Sequence, residues 1–200
     1  DESMPHVEEN YLIGNPRNEL FTYAMTKRMI LIGQESLNKQ FGLNYLTVVP
    51  STLVGPYYKL GNKQLHFIFD LIKKIIEFKE ENKPVVLWGD GNQRRELVYV
   101  EDFVNILLKL EKITKNEVYN IGAGQDHSIK EFVLMICKIL NVDENKIKYD
   151  ENRYVGAKSK FLDNSKLNSV INGYKQKPTI EVLEDTINWM YSEMYKKRLC

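Results

Sequence analysis

The sequence has few cysteines and no long apolar run. Its only cysteines are Cys137 and Cys200, which match neither a disulfide framework nor a metal site. No apolar stretch approaches the roughly 20 residues that a membrane-spanning helix needs, and the first residues lack the basic and apolar parts of a signal peptide. We therefore expect a cytoplasmic protein that holds no metal and does not enter a membrane.

The sequence also lacks an excess of charge of either sign. Its 28 lysines and arginines and 27 aspartates and glutamates are interleaved and give a formal net charge of +1. Proteins that bind nucleic acid or anionic membranes usually carry a basic patch, so we expect no nucleic-acid partner. With 43% apolar residues, the chain can fill the core of one domain or one and a half.

A third absence concerns the glycine motif of dinucleotide sites. No Gly-x-Gly-x-x-Gly follows a predicted strand, so the motif that cradles the phosphates of a dinucleotide is missing. The chain also begins with Asp1 rather than with methionine. We therefore expect the sequence to be part of a longer protein.

Predicted helices and strands alternate along the chain, which indicates an α/β fold with a largely parallel sheet. Helical spacing of apolar residues predicts helices at 22–41, 63–79, 102–111, 129–140 and 179–195. Strands are predicted at 43–49, 84–88, 97–100, 117–121 and 146–149, and a loop at 51–62. The first helix should be mostly buried and end at Gly42, and Ser128 with Glu131 predicts a capping box.

Tyr23 and Lys27 lie four residues apart on the first predicted helix, so both face the same side. An ammonium beside a phenol stabilises the phenolate, which suits the pair to acid/base chemistry. The same spacing is also typical of an ordinary half-buried helix face, and it recurs at Tyr154 and Lys158 in a predicted loop. The motifs that follow Tyr23 and Lys27 favour the catalytic interpretation.

These motifs occur in a fixed order after the Tyr23/Lys27 helix. They are Pro50–Pro56, His66, Trp88–Glu96, Val98–Asp102, Asn120–Gly124 and Lys160–Asp163. Together they resemble the extended short-chain dehydrogenases/reductases, and the GDP-L-fucose synthases more than the UDP-galactose epimerases. The resemblance implies a Rossmann-like doubly wound parallel sheet whose N-terminal half is missing, and a smaller C-terminal α/β substrate domain. Residues 1–56 would complete the dinucleotide-binding domain, and 57–200 would mainly bind the sugar nucleotide, with some segments returning to the Rossmann domain.

The resemblance also implies roles for single residues. Tyr23 would donate a proton to a 4-keto oxygen, and Lys27 would stabilise its phenolate and bind the cofactor ribose. His66 would be one partner of the acid/base pair that epimerises C3 and C5, with a cysteine upstream of Asp1 as the other. The implied cofactor contacts are Tyr23, Lys27, Pro50, Ser51, Thr52, Leu53 and His66. The implied substrate contacts are Lys74, Trp88, Arg95 and Lys160.

The activity implied is that of an NADPH-dependent 3,5-epimerase/4-reductase acting on a GDP-4-keto-6-deoxy sugar, with NADP favoured over NAD. Two departures from the family pattern leave the sugar open: Ser51-Thr52 replaces Thr-Asn, and Lys74 replaces an arginine and loses its fork geometry. One alternative is a single-step 4-reductase, 4-epimerase or 4,6-dehydratase on a related GDP- or UDP-sugar, such as a GDP-heptose. Another is a non-catalytic dinucleotide-binding scaffold.

Each of these assignments has a simpler structural alternative. His66 could be a structural or solvated histidine, Trp88 could lie in the core, and Arg94 with Arg95 could be an exposed pair on a strand edge. A homodimer through the active-site helix is also implied by the resemblance. Its apolar face would consist of Met25, Met29, Ile32, Phe69 and Ile76, residues that would serve equally well as ordinary core.

Overall fold

The computed structural model describes residues 4–61, 64–153, 155–172 and 175–195, in which helices and strands alternate. The helices are α1 (Phe21–Phe41), α2 (Phe67–Glu81), α3 (Val100–Ile113), α4 (Ile129–Leu140), α5 (Ser165–Val170) and α6 (Thr179–Tyr195). The strands are β1 (Leu46–Pro50), β2 (Thr52–Val54), β3 (Val86–Trp88), β4 (Arg94–Arg95), β5 (Leu97–Tyr99), β6 (Glu117–Ile121), β7 (His127–Ser128), β8 (Lys148–Asp150) and β9 (Ser159–Lys160).

Most strand pairs are parallel and join strands that are distant in sequence. β1 pairs with β6, β2 with β5, β3 with β8 and β4 with β9, all in parallel, whereas β4 and β7 are antiparallel. Parallel neighbours require a crossover connection, and the helices supply these connections here. The predicted α/β class with mainly parallel pairing is confirmed.

Two apolar cores hold these elements together. The larger core lies among α2, α4, α6 and β3, where Ile72, Ile136 and Leu183 are fully buried. The smaller core lies beside β6 and contains Ile106, Ile121 and Leu167, with residues of β1 packed against it. The smaller core therefore supports β1 and β6, which hold the candidate cofactor loop. The larger core supports the elements that contain Trp88 and Arg95.

Two predicted helix ends are confirmed. Gly42 has a left-handed φ of 67° and ends α1, as expected for a residue without a Cβ. At the start of α4, the Ser128 backbone N–H donates to Glu131 Oε2 at 2.6 Å, and the Glu131 N–H donates to Ser128 Oγ at 3.1 Å. This is the capping box that the sequence predicts.

Several expectations about burial and boundaries are wrong. α1 was expected to be mostly buried, yet none of its residues is, because no element within the described residues covers its apolar faces. Phe69 and Ile76 lie in the larger core, so they cannot contribute to a dimer face. The expected loop after Pro50 contains β2, which pairs with β5. His66 is the N-cap residue of α2 and does not lie within the helix.

Candidate active site

Tyr23 and Lys27 project from one side of α1. The Lys27 ammonium lies 5.6 Å from the centre of the Tyr23 ring, and 64% of Tyr23 is exposed. Tyr23 is therefore accessible to a ligand, and the Lys27 ammonium lies beside its ring. The second Tyr-x-x-x-Lys pattern cannot be compared, because Tyr154 lies outside the described residues.

The segment before α1 is fixed by the residue that follows Lys27. The guanidinium of Arg28 donates to three carbonyl oxygens at 2.6–2.7 Å, those of Tyr11, Ile13 and Gly14. The Tyr11 hydroxyl in turn donates to Asn120 Oδ1 at the end of β6, and burial, mainly, raises the pKa of this phenol. The segment is thereby held between α1 and the carboxyl end of β6.

Four of the predicted cofactor contacts lie where β1 passes into β2. Pro50 is the last residue of β1, and the Ser51 N–H donates to the Ile121 carbonyl at 3.0 Å. Thr52 and Leu53 belong to β2, so hydrogen bonds to β5 hold them in place.

The glycine that follows this strand is required by packing. At Gly55, φ is 149°, and an added Cβ would lie 2.7 Å from Val100 Cγ1. A side chain at this position would therefore collide with the start of α3. The close approach fixes the path of the chain directly after the candidate nicotinamide loop.

His66 and Lys74 are both associated with α2, but their surroundings differ. The His66 ring packs edge-on against Tyr58, with 6.1 Å between the ring centres. The Lys74 ammonium pairs with Asp70 at 2.6 Å on the same helix. Lys74 thus already has an anionic partner, which weakens it as a predicted substrate contact.

Arg95 and Lys160 are direct neighbours across β4 and β9. Burial lowers the pKa of the Arg95 guanidinium. Burial also lowers the pKa of Lys160, with further contributions from the positive charges of Arg95 and Arg17. Among the described residues no carboxylate forms an ion pair with Arg95 or Lys160. Within the described residues, the pair is therefore a cationic site without a counter-charge.

The neighbouring Arg94 behaves differently from Arg95. Its guanidinium donates to the two Asp126 carboxylate oxygens at 2.9 and 3.0 Å and to Glu131 at 3.3 Å. Arg94 therefore links β4 to the start of α4. The alternative that both arginines form an exposed pair on a strand edge does not hold for Arg94, which forms ion pairs with Asp126 and Glu131. Arg95 has no such ion pair among the described residues.

Trp88 ends β3 and is not a core residue, because 62% of it is exposed. The guanidinium of Arg153 lies 5.7 Å from the centre of its ring. An exposed indole with a cation on its face can stack with a planar ligand group. The alternative that Trp88 lies in the core is wrong.

Two residues beside Arg95 were not singled out from the sequence. His127 is its cross-strand neighbour on β7, and within the described residues the buried Nε2 of His127 has no hydrogen-bond partner. Glu96, the next residue along the chain, is 0% exposed and accepts hydrogen bonds from the backbone N–H groups of Ala123 and Leu162. Burial raises the pKa of this carboxyl group. Glu96 lies between β4 and β5, so no alternation within a strand marks it in the sequence as a buried residue.

Other kinds of site are not apparent in the part of the chain that the structure describes. It contains no group of three or more histidine, cysteine, aspartate or glutamate residues placed to hold a metal ion. Its helices are also too short or too polar to cross a membrane. A cleft of about 400 Å³ lies between α2 and α6, and none of the predicted site residues lines it.

Comparison with known proteins gives a consistent set of relatives. Residues 1–122 match the NAD dependent epimerase/dehydratase family. The chain is 33% identical over 181 residues to a GDP-L-colitose synthase from Yersinia pseudotuberculosis, covering 79% of this chain and 58% of that protein. It is 28% identical over 201 residues to a GDP-L-fucose synthase from Escherichia coli, covering 93% of this chain and 61% of that protein. The chain therefore spans about three fifths of the length of these relatives.

A solved structure shows the same fold. A GDP-L-fucose synthetase from Naegleria fowleri bound to NADP superposes with a TM-score of 0.86 at 20% identity. The match covers 98% of this chain and 63% of that one. This likeness confirms the predicted Rossmann-like α/β class.

Proposed function

Because this chain belongs to the NAD dependent epimerase/dehydratase family, we propose that its protein is a nucleotide-sugar epimerase/reductase. It converts a GDP-4-keto-6-deoxy sugar to the epimerised and reduced GDP-sugar with NADPH. The relatives named GDP-L-colitose synthase and GDP-L-fucose synthase support this substrate class.

The observation that carries the proposal is the cationic site of Arg95 and Lys160, for which the described residues provide no ion-pair partner. Two like charges on neighbouring strands destabilise each other, and partial burial adds to this cost. A diphosphate supplies the missing negative charge, and a guanidinium can donate two parallel hydrogen bonds to it. The exposed Trp88 provides a stacking surface for a planar group of the same ligand.

The reaction then takes place beside α1. Tyr23, Lys27 and the Pro50–Leu53 strand junction would hold the nicotinamide half of NADPH, which would supply a hydride when bound. Tyr23 donates a proton to the keto oxygen, with Lys27 beside its ring. The NADP bound to the Naegleria fowleri relative supports NADP over NAD. In this arrangement residues 1–56 serve the cofactor and 57–200 mainly serve the sugar nucleotide.

A direct test compares Tyr23→Phe with Tyr57→Phe in the full-length protein. Both changes remove one hydroxyl from an exposed tyrosine, and only the first removes the proposed proton donor. With GDP-4-keto-6-deoxymannose, Tyr23→Phe should reduce NADPH oxidation at least 100-fold while GDP binds nearly unchanged, and Tyr57→Phe should retain activity. Wild-type turnover in Tyr23→Phe would refute the catalytic assignment.

His66 distinguishes a full epimerase/reductase from a single-step enzyme. If His66 relays protons at C3 and C5, His66→Asn should abolish deuterium uptake from D₂O at these carbons, because an amide cannot transfer the proton. Mass spectrometry of the sugar measures the uptake directly. Uptake at the wild-type rate in the variant would make His66 structural.

A second candidate function is a single-step reaction on a different sugar. It is favoured by the ion pair between Lys74 and Asp70, which occupies the position where the family carries a substrate-binding arginine. Single-step 4-reductases, 4-epimerases and 4,6-dehydratases on GDP- or UDP-sugars, including a GDP-heptose, all fit this change. Absence of deuterium uptake at C3 in the unmutated enzyme would select this candidate. A non-catalytic scaffold would instead bind ligands without turnover.

We further propose that α1 mediates homodimerisation. Its exposed apolar residues include Met29, which is 68% exposed, together with Met25 and Ile32. Met29→Lys places a charge on this face and should shift the protein from dimer to monomer in sedimentation velocity. Glu35→Lys, a charge change at an already polar position of the same helix, should leave the dimer intact. An unchanged dimer in Met29→Lys would place the interface elsewhere.

A further inference from the structure

Glu96 is a fully buried carboxylate at the point where the two candidate ligand sites meet. Its Oε2 accepts from the Ala123 N–H at 2.7 Å, and its Oε1 accepts from the Leu162 N–H at 2.8 Å. The Ser51 backbone N–H donates to the Ile121 carbonyl at 3.0 Å, two residues before Ala123. The end of β6 and the chain after β9 are therefore joined by one side chain, and the end of β1 is joined to them through β6.

Each of these partners has a position that matters for the proposed reaction. Ser51 belongs to the strand junction that would face the nicotinamide. Leu162 follows Lys160 by two residues, so its N–H fixes the chain directly beyond the candidate diphosphate cation. Glu96 itself follows Arg95 directly and lies between β4 and β5. Arg95 is only partly buried, whereas Glu96 is 0% exposed and lies in the interior.

Gly122 shows that the surrounding chain is shaped around this carboxylate. A Cβ added at Gly122 would lie 2.9 Å from Glu96 Oε2 and 3.1 Å from Asn164 Oδ1. Asn164 holds the same glycine through two hydrogen bonds, to its N–H at 2.8 Å and to its carbonyl at 2.9 Å. Both partners leave no room for a side chain, so even alanine would displace the Glu96 carboxylate.

We propose that Glu96 is a positioning residue that fixes the position of Ser51 relative to Lys160. It would thereby fix the position of the cofactor relative to the sugar nucleotide. The inference rests on the proposed function, because it requires that Ser51 faces the cofactor and Lys160 the diphosphate. The residue acts only through the backbone and side chains that it holds. Its removal should therefore weaken the binding of both ligands, although it touches neither.

Glu96→Gln in the full-length protein tests this proposal. The amide keeps the size of the side chain but replaces one acceptor oxygen with an N–H₂ group that faces a donor. NADPH affinity is measured by cofactor fluorescence and GDP affinity by calorimetry. Both dissociation constants should rise about tenfold, the effect of one lost hydrogen bond to a charged group.

The control is Thr186→Val, which removes a buried side-chain hydrogen bond from a site remote from these ligands. Thr186 is also 0% exposed, and its hydroxyl donates to the Val182 carbonyl at 2.7 Å within α6. This variant should lower the melting temperature and leave both dissociation constants unchanged. Gly122→Ala is a second variant. It should displace the Glu96 carboxylate without removing it, and it should weaken the binding of both ligands in the same way.

The possible outcomes separate the inference from the proposed function. If the wild-type protein binds neither NADPH nor GDP, the proposed function is wrong and the inference falls with it. If the wild type binds both, but Glu96→Gln and Gly122→Ala only lower the melting temperature, Glu96 has a structural role alone. Weaker binding of only one of the two ligands would also refute the proposal that Glu96 positions both.

Discussion

Replacing Arg95 with alanine should weaken ligand binding without destabilising the free protein. Within the described residues, the only hydrogen bond that the structure records from the Arg95 guanidinium goes to the Arg94 carbonyl at 2.7 Å, and its charge disfavours the charge on Lys160. Its loss therefore removes a repulsion together with some packing. We expect the free energy of unfolding of the ligand-free protein to change by less than about 1 kcal/mol.

The effect on binding should be much larger. A hydrogen bond to a charged group contributes about 1.5–3 kcal/mol, and a guanidinium can donate two of them to a diphosphate. If a water molecule or Lys160 compensates for one of them, the dissociation constant for GDP rises roughly 10-fold to 100-fold. The affinity for NADPH should stay within about a factor of three, because Arg95 is not among the predicted cofactor contacts.

Arg94→Ala is the matched control, since it changes the same residue type at the next position. It removes the hydrogen bonds to Asp126 and Glu131 that join β4 to α4. We expect a loss of stability of about 1 kcal/mol after allowance for solvent screening, with GDP affinity unchanged. Titration calorimetry with GDP and urea denaturation measure the two quantities. Equal effects of both variants on GDP affinity, or none from Arg95→Ala, would refute the assignment of the diphosphate site.

Three further predictions concern the fold. Ser128→Ala should lower the free energy of unfolding by about 1 kcal/mol in urea denaturation, because the capping box at the start of α4 is lost, and an unchanged value would mean that water replaces the cap. Ile136→Ala should cost about 2–5 kcal/mol in the same assay, since Ile136 is fully buried in the larger core and cannot be truncated without leaving a cavity. Cys137 should resist iodoacetamide at pH 8 in a Cys200→Ser background, because burial raises the pKa of its thiol to about 11. Rapid alkylation at native conditions would mean that α4 opens locally.

The sequence was informative wherever a pattern extended over several residues. The strand predicted at 117–121 and the amphipathic helix predicted at 179–195 match β6 and α6 with their observed bounds. The two-residue strands β4, β7 and β9 have no usable period, and they form because distant segments pair. Their existence could not be read from local sequence.

Prediction of the candidate site from sequence also failed where residues distant in sequence determine the environment. Arg94 and Arg95 are the same residue type at adjacent positions, and they differ only because Asp126 and Glu131 lie beside the first of them. The spacing of apolar residues predicted the helix α1 but not which part of the protein would cover its apolar side chains. Tyr23 and Lys27 were found from their spacing, and their chemical roles stay predictions that the variants above can test.

The hydrogen bonds of Arg28 determine how parts of this protein could be exchanged with those of its relatives. One guanidinium holds the carbonyls of Tyr11, Ile13 and Gly14, and a lysine at that position has no planar fork with which to bind three acceptors. A chimera that takes the segment before α1 from a relative must therefore also take the residue of that relative that matches Arg28. The segment and α1 should be exchanged together, and the exchange would then include Lys27, the immediate neighbour of Arg28.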